Sequence, residues 1–134
     1  MKALTIREPW ASLIINKYKK YEFRSRKTNY RGEILIHAGK NAKKADLAKF
    51  QEYHLDYQFG AIIGMATISD CIKINKEWME ERKKENPLIY DKNVQEEEYA
   101  WVLTDIKKYK KAIPEKGKLG LWNYKGEIYE KTDE

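Results

Sequence analysis

Segments in which apolar and polar residues alternate recur along this chain, and helical patterns do not separate them regularly. Such alternation is typical of strands that bury one face. A doubly wound parallel sheet needs a helix between successive strands, so this order favours an α+β fold instead, a small β-barrel of about five or six strands. The strand candidates are residues 2–7, 21–25, 33–38, 61–74 and 99–103, and residues 105–113 either extend the last of these or pair again with it.

Two or three short helices are predicted to flank the barrel. An apolar stripe at helical spacing starts at Trp10 and predicts a first helix that ends near Tyr18. Residues 42–53 and 76–84 are the other helical candidates. Gly64 lies inside the long strand candidate 61–74, where it predicts a bulge or a bend.

The length of 134 residues suits one domain with one core and is too short for two domains of ordinary size. No linker, repeat or low-complexity tract interrupts the sequence, which favours continuous packing. We therefore expect a single domain over residues 1–134, with its core in about residues 1–124 and a C-terminal tail at 125–134.

Several classes of protein are disfavoured by what the sequence contains. The longest apolar stretches, residues 13–15 and 61–66, are far below the roughly 20 residues that cross a bilayer, and no charged-then-apolar leader opens the chain. We expect a soluble, cytoplasmic protein with no membrane partner. One cysteine and two histidines offer no metal-ligand spacing, and no glycine-rich phosphate loop is present, so neither a metal nor a cofactor is expected.

Positive charge is concentrated in two stretches. The formal net charge is +6; residues 17–50 contain eleven basic and three acidic side chains, and residues 105–118 contain six and two. If both stretches fold onto one face, the resulting patch suits a polyanion, most plausibly nucleic acid. A lysine-rich solubilising surface explains the same composition equally well. Residues 77–98 are acidic instead, which leaves a protein-interaction surface as a third possibility.

Three groups of motifs resemble the ASCH domain, a branch of the PUA-like barrel superfamily. They are LTIREPWA at residues 4–11, KKYEFRS at 19–25 with YRG at 30–32 and the strand candidate after it, and WVL at 101–103 with GKLGLW at 117–122. Each motif is short, but their order and separation make the resemblance stronger than any one of them. The resemblance implies a β-barrel flanked by helices, with a cleft beside it that receives RNA or a nucleotide.

The family pattern includes a Gly-x-Lys-x-x-Glu-x-Arg string after the first helix, which maps onto Lys17, Lys19, Glu22 and Arg24. Lys17 replaces the glycine, at a cost of about 1 kcal/mol if that position is left-handed. The resemblance implies that this string lines the cleft together with the Pro9–Trp10 pair.

The three charged side chains of this string suit a nucleotide site if they share a recess. Arg24 can grip a phosphate or carboxylate with two N–H groups, Glu22 can accept from an exocyclic amine or fix Arg24, and Lys19 can neutralise charge. The alternative is an exposed ion pair that contributes well under ~1 kcal/mol.

Aromatic side chains would complete such a site, because single-stranded bases stack on flat rings between cations that contact the backbone. Trp10 is the leading candidate, although a core position for it is equally consistent with the apolar stripe. In the loop after the string, Tyr30 can stack, and Arg26 and Arg31 can contact phosphate. We therefore expect RNA, single-stranded nucleic acid or a modified nucleotide as the partner.

An enzymatic function is the alternative that the resemblance leaves open. Some similar proteins hydrolyse acylated cytidine with a lysine as base, a threonine nucleophile three residues later and a distant glutamate; here Glu22 stands three residues after Lys19. A carboxylate cannot serve as that hydroxyl and would repel an oxyanion. Another branch is associated with RNA cleavage. If the chain is an enzyme, Lys19 and Glu22 are the expected catalytic residues.

Overall fold

The computed structural model describes residues 1–91 and 98–128. The helices and strands follow one another in an order close to that predicted. They are β1 (Lys2–Ile6), α1 (Trp10–Ile15), β2 (Tyr21–Arg24), β3 (Gly32–Ala38), α2 (Lys44–Lys49) with a 3-10 turn at Gln51–Tyr53, β4 (Ala61–Lys73), α3 (Lys76–Glu85), β5 (Tyr99–Pro114) and β6 (Leu121–Asn123).

All six strands form one sheet in the order β2-β5-β4-β3-β1-β6, which curls into a half-barrel. Neighbouring strands are antiparallel except for β1 and β3, which are parallel. The predicted α+β class, with a small PUA-like barrel of five or six strands and two or three helices, is confirmed. Residues 105–113 extend the preceding strand, so that β5 is a single strand of 16 residues.

The long strands β4 and β5 bend around the core because their register shifts at three places. One shift lies between Ile62 and Gly64, where the sequence predicts a bulge. A Cβ atom at Gly64 would collide with the carbonyl of Lys107 and with the side chain of Ile15, which belongs to α1. Glycine therefore lets the helix pack directly on the bent part of the sheet.

Two apolar clusters hold α1 in place from opposite sides. Ile14 packs with Leu4 and Ile36 in the concave core of the sheet. Leu13 packs instead with Phe50 and Met79, in a second cluster formed with the segments that contain α2 and α3. The helix is shorter than predicted and ends at Ile15, so its position is determined mainly by these contacts and less by its own propensity.

In the part of the chain that the structure describes, no helix is long and apolar enough to cross a membrane. The same residues contain no group of three or more His, Cys, Asp or Glu side chains that could hold a metal ion. Residues 92–97 of the acidic segment and residues 129–134 of the tail lie outside the described ranges.

Candidate functional site

A cavity of about 630 Å³ opens beside the sheet, next to the N-terminal end of α1. Its lining contains Trp10, Lys19, Glu22 and Arg24, the four residues around which the sequence predicts a site. The remaining lining residues come from segments far apart in the sequence: Thr5, Arg7, Phe23, Gly39, Lys40, Asn41, Ile89, Asp91 and Leu119.

The entry to α1 is held by a buried carboxylate. Glu8 Oε1 accepts from the backbone N–H of Ser12 at 2.8 Å, and Glu8 Oε2 accepts from its hydroxyl at 2.6 Å. Burial raises the pKa of the Glu8 carboxyl, and the hydrogen bonds from Ser12 offset only part of this effect. These contacts fix the first turn of α1 and therefore the position of Trp10, its first residue.

A left-handed residue turns the chain from α1 into the cleft. Lys17 has a φ of 69°, at the position where the family pattern has glycine, so the turn is formed despite the substitution. The backbone N–H groups of Tyr18 and Lys19 both donate to the carbonyl of Leu13, at 2.9 and 3.1 Å. This tight reversal brings Lys19 inward, where it is only 4% exposed.

The ammonium group of Lys19 lies between two aromatic rings. Its Nζ atom is 5.1 Å from the ring centroid of Trp10 and 4.7 Å from that of Phe23. These are cation–π distances, which stabilise a cation that has lost most of its water. Nζ also lies 3.6 Å from Glu22 Oε1, in an ion pair whose carboxylate side chain is 10% exposed.

Glu22 links this lysine to Arg24. The Nε atom of Arg24 donates to Glu22 Oε2 at 3.0 Å, and its Nη2 atom donates to the carbonyl of Thr5 at 2.7 Å. Glu22 and Arg24 are two positions apart on β2, so their side chains lie on the same side of that strand. Nη2 also lies 3.0 Å from Glu22 Oε2, so of the five N–H groups of the guanidinium only the two on Nη1 take no part in these contacts.

Trp10 contributes to both the core and the cleft. Its half-buried ring packs edge-on against Phe50, with centroids 5.3 Å apart, and it also lines the cavity. The sequence leaves a stacking role and a core role open for this residue, and the ring has contacts of both kinds.

The other four predicted site residues lie outside the cavity lining. Pro9 is buried before α1, and Arg26 is exposed, with its carbonyl accepting from Trp101 Nε1 at 2.9 Å. The hydroxyl of Tyr30 donates to the carbonyl of Glu33 at 2.8 Å, which holds that ring against its own loop. Arg31 Nη1 donates to the carbonyls of Thr28 and Tyr30, and its Nη2 lies 3.8 Å from Asp70.

Sequence analysis did not single out most of the opposite wall. Arg7 follows β1, whereas Lys40 and Asn41 come just after β3. Because β1 and β3 are parallel, they end at the same edge of the sheet, and the residues after both strands line the cavity. That parallel pairing has no local signal in the sequence. Leu119 lies in the GKLGLW motif, which is part of the resemblance to the ASCH domain, but the resemblance implied no role for Leu119 in the cleft.

His37 and Thr5 form a bonded pair beside this wall. Thr5 Oγ1 is 3.1 Å from His37 Nδ1 and accepts from Trp122 Nε1 at 3.0 Å, and His37 Nε2 is 2.7 Å from the carbonyl of Glu115. Because a carbonyl only accepts, the proton of a neutral His37 is on Nε2. The histidine therefore ties the chain before Leu119 to the sheet.

Comparisons with known proteins place the chain among its relatives. The sequence model of the ASCH domain matches residues 4–113. Activating signal cointegrator 1 from Mus musculus is 31% identical over an alignment of 81 residues, and the match covers 52% of this chain and 14% of the mouse protein. The chain thus spans a small part of that relative.

Two crystal structures of ASCH proteins from Zymomonas mobilis share the fold. One is 16% identical, with a TM-score of 0.56 over 84% of this chain and 72% of the other. A serine-to-alanine variant is 17% identical, with a TM-score of 0.59 over 92% of this chain and 88% of the other. At these identities the likeness concerns the fold alone. Since the family match covers well over half of the residues, the chain belongs to the ASCH domain family.

Proposed function

We propose that the cleft binds a nucleotide, either within RNA or as a free modified nucleotide. The observation that carries the proposal is the convergence of Trp10, Lys19, Glu22 and Arg24 on one cavity of about 630 Å³. That volume lies in the range of about 300–1,000 Å³ that is usual for small-molecule sites. An aromatic surface beside fixed cations is the combination that nucleotide recognition uses.

The charges of the lining support an anionic ligand. Four basic side chains face two acidic ones: Arg7, Lys19, Arg24 and Lys40 against Glu22 and Asp91. Arg24 is 26% exposed at its side chain, and the two N–H groups on its Nη1 atom suit a phosphate. Glu22 keeps the side chain of Arg24 oriented, so Arg24 has less conformational entropy to lose when a ligand binds.

The lining of the cavity also offers groups that suit a base. The amide of Asn41 has both donors and an acceptor, which is what a base edge requires. Trp10 and Leu119 provide apolar surface for the face of the ring.

The position of Glu22 supports binding over amide hydrolysis. In the hydrolases that the chain resembles, this position carries a hydroxyl nucleophile, whereas here the carboxylate is engaged by Lys19 and Arg24. A carboxylate between two cations stabilises them and leaves the site without a nucleophile of that kind. Binding therefore accounts for all three side chains.

The test is a titration with uridine monophosphate and with a labelled eight-nucleotide single-stranded RNA, each at 50 and 200 mM NaCl. We expect binding of both that weakens with salt. Arg24→Ala should weaken both by roughly 10- to 100-fold, because charge-assisted hydrogen bonds contribute about 1.5–3 kcal/mol.

Arg31→Ala is the matched control, since this arginine is exposed and lies outside the cleft. An equal loss in both variants, or no binding at 50 mM NaCl, would contradict the proposal. Incubation with an acylated cytidine provides a separate outcome: turnover that disappears in Lys19→Ala would assign an enzyme in place of a binding module.

A further inference from the structure

Tyr18 is an exposed aromatic ring connected to the cleft by a chain of ring contacts. Successive ring centroids are 5.3 Å apart for Trp10 and Phe50, 5.7 Å for Phe50 and Tyr53, and 4.8 Å for Tyr53 and Tyr18. The Trp10 and Tyr18 rings are therefore at most about 16 Å apart. Tyr18 itself is 47% exposed.

Among the ring contacts of the described residues, Tyr18 has one, the edge contact with Tyr53. The two planes meet at 89°, a T-shaped arrangement in which one ring edge meets the other ring. A T-shaped pair leaves much of the ring surface without an aromatic partner, and this agrees with the high exposure of Tyr18. The ring thus has one aromatic neighbour and is open to a flat ligand.

Exposed lysines flank Tyr18 in the sequence and occur in the segment that leads to Tyr53. Lys17 and Lys20 are both exposed, and so are Lys43 and Lys44 at the start of α2, the element that leads into Tyr53. Residues 39–50 carry four lysines and one aspartate. A single exposed aromatic residue is ordinary on a protein surface, but one that is flanked by lysines in the sequence and linked by ring contacts to the proposed cleft suits stacking with a base of single-stranded nucleic acid.

The left-handed conformation of Lys17 agrees with this function. A non-glycine residue with a φ of 69° is uncommon, and here it ends α1, where the backbone N–H of Lys17 donates to the carbonyl of Ile14 at 2.9 Å. A lysine here adds a positive charge directly beside Tyr18, which glycine would not provide.

We propose that Tyr18, together with Lys17 and Lys20, forms a second nucleotide contact that stacks a base of a single strand, another nucleotide of which occupies the cleft a few positions away. The inference rests on the proposed function and narrows it, because it identifies an oligonucleotide as the ligand and not a free nucleotide. Even at the stacked spacing of about 3.4 Å per step, six nucleotides, with five steps between the first and the last, cover the distance between the two rings.

The experiment compares two probes on the same variants. Tyr18→Ala should weaken binding of an eight-nucleotide oligouridylate roughly tenfold, since it removes one stacked base, and should leave the affinity for uridine monophosphate unchanged. Tyr18→Phe should bind as the wild type does, because the ring remains. Tyr18→Leu keeps an apolar contact with Tyr53 without a flat ring and should match Tyr18→Ala. Lys17→Gly should reduce the slope of log Kd against log salt by about 0.7.

Phe59→Ala is the control for loss of an exposed ring, because Phe59 is 44% exposed and lines a different cavity from the cleft. It should not change the affinity for either probe. If uridine monophosphate binds but the oligonucleotide affinity survives Tyr18→Ala, or falls equally in Phe59→Ala, the second contact is refuted and the cleft stands. If neither probe binds, the proposed function fails and this inference fails with it.

Discussion

The ion pair between Lys19 and Glu22 should be strongly coupled because it is buried. At 3.6 Å and an effective dielectric constant of about 20, the attraction between the two charges is about 4–5 kcal/mol. Arg24 shares the carboxylate, so part of this attraction persists when the lysine is removed. We therefore expect a coupling energy of about 2–3 kcal/mol from a double-mutant cycle of Lys19→Met and Glu22→Gln.

The assay is urea unfolding of the wild type, the two single variants and the double variant, followed by circular dichroism at constant pH and salt. Glu22→Gln alone should lower the free energy of unfolding by about 3 kcal/mol, because it leaves a buried cation without its carboxylate. The slope of free energy against urea should be the same for all four proteins, so that the cycle compares like states.

Lys84 and Glu81 provide the control pair. Their atoms are closer, at 3.1 Å, but the side chains are 75% and 60% exposed. The same cycle there should give no more than about 0.5 kcal/mol. A coupling below about 0.5 kcal/mol at Lys19 and Glu22 would refute the argument, since it would mean that the two charges interact through water as surface pairs do.

Three further changes test the framework of the site. Burial raises the pKa of the Glu8 carboxyl in the folded state. The contribution of Glu8 to stability is therefore greatest below about pH 4 and falls as the pH rises through that folded-state pKa. Thermal unfolding should show this decline in the wild type and not in Glu8→Gln, and parallel pH profiles of the two proteins would contradict it. Gly64→Ala should cost at least about 2 kcal/mol in urea unfolding, because its Cβ meets the Lys107 carbonyl and Ile15; a cost below about 0.5 kcal/mol would show that the strands have room to move. Lys17→Gly should raise the free energy of unfolding by about 0.5–1 kcal/mol, since glycine tolerates a positive φ, and a loss of stability would contradict this.

Local patterns sufficed for most of the elements. β1, β2, β3 and α3 lie within a residue or two of their predicted bounds, because alternation, helical periodicity and a glycine bulge are properties of neighbouring residues. The second helix is shorter than residues 42–53, and only Lys44–Lys49 is α-helical before the 3-10 turn. The parallel pairing of β1 with β3 is a contact between distant segments, which no local pattern encodes.

The site shows the same division. Lys19, Glu22 and Arg24 occur within six positions and could be identified through the resemblance, and they share one cavity. The opposite wall could not be predicted, because Lys40, Asn41 and Leu119 reach it only through pairings across the whole sheet. Sequence position alone also gave no sign that Lys19 is more deeply buried than its exposed neighbours Lys17 and Lys20.

The confinement of Lys19 bears on how selectively the proposed site could bind an anion. A surface lysine samples many rotamers, and ordering it on binding costs up to about 2 kcal/mol. Between Trp10, Phe23 and Glu22, the side chain loses that freedom while the protein folds. If the cleft binds an anion as proposed, that anion meets a charge in one fixed position, and molecules whose negative group is displaced by an ångström or two should gain little from it.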